Sequence, residues 1–137
     1  MKANLDSLVK IAKQKLTEQE RLLATNETLI QRKRDAIEAI RLEMSSIPIP
    51  KSGSFSAYKN RMDGIEAYQY EIREIEGHID FLLQEQAVIR QNMRLAHMEH
   101  EKMKYVCHKE GERLAASARL REIKQLDEST ILLHARK

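Results

Sequence analysis

The sequence predicts an all-α protein: two long helices folded into an antiparallel coiled-coil hairpin, with the second helix overhanging the first. Three observations predict it. Both prolines of the 137-residue chain, Pro48 and Pro50, fall in one short stretch. On either side of it apolar residues recur at alternating steps of three and four, the period of a left-handed coiled coil. Charged residues make up 33% of the chain and aromatic ones 4%, with no Trp, a balance that suits long helices better than a thick globular core. The whole chain, residues 1–137, reads as a single hairpin: a helix over 4–46, a turn over 47–54 and a helix over 55–134.

In the first arm, one seam position is occupied by Val9, Leu16, Leu23, Ile30, Ile37 and Met44, and the other by Leu5, Ala12, Gln19, Asn26, Lys33, Ile40 and Ile47. Leu8, Leu22 and Leu29 are expected to widen this stripe. Gln19, Asn26 and Lys33 interrupt it. At the edge of a two-helix contact such side chains reach water, which is the expectation here; the alternative is a register key or a partner-binding notch, since buried polar residues set pairing specificity at a cost in stability.

The turn follows from Ile47-Pro48-Ile49-Pro50. Proline removes an N–H, fixes its own φ and pushes the residue before it out of the helical region, so the arriving helix stops here. Ser52-Gly53-Ser54 supplies turn chemistry, and a serine can cap the next helix.

In the second arm the seam restarts at Tyr58 and runs through Ile65, Tyr68, Ile72, Ile75, Ile79, Leu82, Gln86, Ile89, Met93, Ala96, His100, Met103 and Cys107. Folding the chain about residue 50 sets Gln19 opposite Gln86. At 1.5 Å per residue it also leaves about 35 to 40 residues after His97 with no helix beside them. That overhang still carries Leu114, Leu120, Ile123, Leu126, Ile131, Leu132 and Leu133, with a slip in phase and a bend expected near Gly111. A single helix so apolar is marginal in water and calls for a partner, either a second copy or another protein. Phe55, Tyr58, Met62 and Tyr68 form the densest aromatic patch, fit either for the core of the hairpin tip or for docking.

The composition excludes several classes of function. A net charge of +3 with acids and bases interspersed does not make a nucleic-acid surface. No apolar run approaches the roughly 18 residues of a membrane span, and Met1-Lys2 is not followed by the apolar core of a signal peptide, so a cytoplasmic protein is expected. His97, His100, Cys107 and His108 crowd one stretch with Glu101. One helix rarely supplies four converging ligands, however, and the spacing matches no compact zinc or nickel motif, so no metal site is expected. No phosphate loop or nucleophile elbow is present, and two helices enclose no reaction cavity, so neither catalysis nor a cofactor is expected.

The run Arg119-Leu120-Arg121-Glu122-Ile123-Lys124-Gln125-Leu126-Asp127-Glu128, followed by Arg136-Lys137, together with the opening Leu5-x-x-Leu8-Val9-x-x-Ala12 and Leu22-Leu23, resembles the FliJ family of flagellar type III export proteins. The resemblance covers essentially the whole chain and implies a noncatalytic stalk and adaptor. Its termini would insert into the hexameric flagellar export ATPase and promote its activity. It would also contact the cytoplasmic domain of the export-gate membrane protein and escort export chaperones, at the periphery of the inner-membrane export apparatus. Carried over by position, Leu120, Arg121, Ile123, Gln125, Leu126, Asp127 and Glu128 face the ring, and Tyr58, Ile65, Tyr68 and Ile72 dock on the gate. Arg61 departs from the aromatic residue expected there. The alternative is a structural or chaperone-like coiled coil that self-associates through its C-terminal helix.

Overall fold

The computed structural model describes residues 2–51 and 53–135, with side chains from Asn4 onward. Ser52 of the expected turn, and Arg136 and Lys137 of the family-like ending, lie outside the described residues. Helix α1 spans Lys2–Ser45 and α2 spans Phe55–Ala135, 44 and 81 residues, so the protein is the all-α hairpin with unequal arms that the sequence predicts.

The end of α1 is capped by its own serines. Ser45 Oγ donates to Leu42 O at 2.8 Å, Ser46 Oγ donates to Glu43 O at 2.7 Å, and the Ser46 N–H shares both carbonyls. Carbonyls that would otherwise be orphaned at the helix end are thereby satisfied before Pro48 stops the chain. At the start of α2, Ser54 holds the N-cap position through its carbonyl, which accepts the Tyr58 N–H at 3.3 Å.

The chain divides into two compact units. The first, Glu18–Met93, contains the turn. Its core is made of Ile30, Ile37 and Ile40 from α1 and Ile72 and Ile79 from α2, with Tyr68, Ile75 and Leu82 packed against it. These isoleucines fall at the seam positions that the heptad pattern selects, and each fully buried aliphatic side chain contributes about 1.5–3 kcal/mol. Leu22 is half-buried but Leu29 is exposed, so the stripe here is narrower than expected: two helices have no third layer to cover a flanking position.

The second unit, Met1–Thr17 with Arg94–Lys137, buries Ala12 and Leu16 and half-buries Leu5 and Val9 of α1, while Leu8 stays exposed. On α2 it half-buries Ala96, His100, Met103, Cys107, Leu114 and Ser117. The helix passes through Gly111 unbroken, and the seam keeps its phase there.

The register differs from a fold about residue 50. Ile47, in the turn, lies beside α2 at Gly64, where an added Cβ would stand 3.7 Å from Ile47 Cδ1. The first turns of α2 therefore precede the point where pairing begins. Asn26 accordingly meets Gln86, which the sequence had set opposite Gln19. In the second unit, Cys107 Sγ donates to Asp6 Oδ1 at 3.0 Å, well beyond the residue where the overhang was expected to start. The stretch of α2 on which every residue is exposed is 118–135, about half the length expected.

Candidate docking surfaces

On the terminal stretch of α2, the apolar residues leave the seam. Continued from Leu114 and Ser117 at steps of three and four, the seam passes through Arg121, Lys124 and Glu128, which are polar, and meets an apolar residue again only at Ile131. Ile123, Leu126, Thr130 and Leu133 keep the same spacing but stand two residues later, about 200° round the helix at 100° per residue. The change of face thus comes after Ser117, where Gly111 had been expected to mark it. Leu126 is 67% exposed, and Leu120, Ile123, Ile131, Leu132 and Leu133 are also open. Arg121, Gln125, Asp127 and Glu128 are exposed as well, so all seven residues assigned to a ring contact share an uncovered segment. Thr130 Oγ1 donates back to Leu126 O at 2.9 Å, consuming the only hydroxyl on the stripe.

The second set of candidates separates. Tyr58 is 46% exposed, and beside it in sequence Phe55 and Met62 are more open still. Ala57 and Arg61 are half-buried instead of Tyr58, so the inward face at the start of α2 is one residue out of step with the expected seam. Ile65 and Tyr68 are half-buried, and Ile72 belongs to the core. The aromatic patch at the tip therefore divides, Phe55, Tyr58 and Met62 lying on the surface and Tyr68 against the core. Arg61, the departure from the family pattern, buries its Nε without a hydrogen-bond partner.

A buried polar cluster lies between. Asn26 is 3% exposed. Its Nδ2 donates to Leu82 O at 2.9 Å and its Oδ1 accepts from Gln86 Nε2 at 3.0 Å. The expectation that the polar trio reaches water therefore fails at Asn26, which is a register key, and at Gln19, whose Oε1 is buried without a hydrogen-bond partner; Lys33 is half-buried.

Periodicity along the main seam missed the outer side of α2. In the first unit Phe81 and Val88, seven residues apart, are well exposed; in the second, Leu95, Met98 and Tyr105 are. A scan for a second heptad series would have found both groups.

Charges on α2 pair locally. Lys104 hydrogen-bonds Glu101 and holds its carboxyl below the usual range, and Arg113 does the same to Glu110. His108 Nε2 lies 2.9 Å from Glu112. Among the described residues no three His, Cys, Asp or Glu side chains converge on a metal-sized site. An open groove of about 570 Å³ in the second unit runs past Val9, Cys107, Gly111 and Ala115; it is too open to exclude water. Among the described residues no helix is long and apolar enough to cross a membrane.

A family model described as "Flagellar FliJ protein" matches residues 1–137, the full chain. No curated protein and no solved structure matches it.

Proposed function

The chain belongs to the FliJ family of flagellar proteins, and from that premise we propose that it is a noncatalytic stalk and adaptor of the flagellar export ATPase. The uncovered terminal helix carries this reading. Residues 118–135 expose an apolar series that α1 does not cover and that faces away from the seam. A hexameric ring lining would bury it, at roughly 25 cal/mol per Å² of apolar surface removed from water. Leu120, Ile123 and Leu126 would supply the apolar contact, and Arg121, Gln125, Asp127 and Glu128 the polar one. The tip, with Tyr58 open and Ile65 and Tyr68 partly so, is the face offered to the cytoplasmic domain of the export gate. Ile72 serves that face from the core by holding the helix that presents it. Escort of export chaperones, and a place at the cytoplasmic periphery of the inner-membrane export apparatus, belong to the same reading.

The test is ATP turnover by the purified export ATPase with and without this protein, and with the double change Leu126→Ala and Asp127→Ala. Stimulation by the native protein that the variant loses is the expected result. An absence of stimulation at saturating protein, joined to sedimentation of the protein alone as a stable dimer at micromolar concentration, would favour the self-associating coiled coil.

A further inference from the structure

The near-neutral balance of the whole chain conceals a division of charge between the two units. Residues 18–93 carry 10 Lys and Arg against 13 Asp and Glu, a net of −3. Met1–Thr17 with Arg94–Lys137 carry 14 against 8, a net of +6, together with four of the five histidines. The chain total of +3 is thus the sum of an acidic tip and a basic terminal unit.

Much of the basic excess is uncommitted. The α1 segment of the terminal unit holds Lys10, Lys13 and Lys15, all exposed, with Asp6 as its one acid, and Asp6 accepts from Cys107. On α2, Glu101, Glu110 and Glu112 are taken up by Lys104, Arg113 and Lys109 within one turn. Lys102, Arg119, Arg121 and Lys124 are exposed and appear in no ion pair among the described residues.

We propose that the partner surface receiving the terminal unit is a protein surface with an apolar floor for Ile123, Leu126 and Leu133 and an acidic rim for Lys10, Lys13 and Lys15 of α1. Complementary charge raises the association rate, by as much as 10–10³-fold at low salt, and orients the approach. The division of charge makes that approach directional: an acidic surface attracts the terminal unit and repels the tip. A lipid surface suits the stripe less well, because Glu122 and Asp127 flank it on the same segment and would approach anionic headgroups.

This inference rests on the ring reading and refines it, so the experiment separates the two. Binding of the full-length protein to the purified hexameric export ATPase is measured at 50 and 300 mM NaCl, for the native protein and for the triple change Lys10→Glu, Lys13→Glu, Lys15→Glu. The three sites are exposed positions on α1, and circular dichroism checks that the variant keeps its helices. A control triple change, Lys51→Glu, Lys59→Glu, Arg73→Glu, alters the tip by the same charge. Screening over a Debye length that is about 10 Å at 0.1 M salt should weaken native binding at least tenfold between the two salts. The Lys10, Lys13, Lys15 variant should bind at least tenfold more weakly at 50 mM, and the control should bind less than threefold differently. Binding that ignores both salt and the terminal charges would overturn the acidic rim while leaving the ring reading intact. No binding of the native protein at 50 mM would remove the ring reading and this inference with it. Tighter binding to vesicles containing phosphatidylglycerol than to the ATPase would assign the basic unit to membrane.

Discussion

At the scale of single residues, Asn26 decides the register. Sliding α2 by a turn would move Leu82 O and Gln86 away from it and leave an amide buried without partners, which costs about 1–3 kcal/mol. Asn26→Ala should therefore lower the unfolding free energy by about 1–3 kcal/mol, read from the urea midpoint, because Gln86 Nε2 loses its acceptor. The joint change Asn26→Leu and Gln86→Leu should raise the midpoint yet admit other registers and oligomers, as apolar seams do, visible as mixed species in sedimentation. A double variant that stayed a single species would show that the isoleucines alone set the register. The amide was visible in the sequence as a break in the seam. Its partners were not, since they depend on an offset that one residue beside Gly64 reveals.

At the scale of elements, the seam was legible almost residue for residue, because a 3.5-residue repeat states which side chains face inward without reference to the partner helix. What periodicity could not supply was the offset between the arms, and the tip aromatics and the overhang length both follow from that offset. Helix continuity was equally out of reach: Gly64, Gly77 and Gly111 each weaken α2 intrinsically, yet α2 runs through all three, held by the seam on either side. Gly77 tests this balance cleanly. It is exposed, and an added Cβ meets nothing within 4 Å. Gly77→Ala should raise the unfolding free energy by about 0.5–1 kcal/mol, measured in urea. A loss of stability would mean that the helix needs to bend there.

At the scale of the whole molecule, the proposed stalk role assigns folding and docking to different parts of the chain, and that separation can be measured. Every residue from 118 to 135 is exposed, so the apolar members of the segment, those of the Ile123, Leu126 and Leu133 stripe above all, add nothing to the packing of the hairpin. The same segment has no packed face to hold it helical, and in proteins most helical stability comes from packing an amphipathic face against a neighbour. Deleting residues 118–137 should therefore shift the urea unfolding free energy by less than about 0.5 kcal/mol, as for surface changes generally. It should nonetheless abolish stimulation of the export ATPase. In the intact protein, hydrogen exchange of amides 118–135 should run fast for the free chain and slow in the complex with the ATPase. A deletion that cost about 2 kcal/mol or more would place the segment among the elements that hold the hairpin together. Slow exchange in the free chain would mean that a second copy already covers it, and the terminal helix would then belong to self-association.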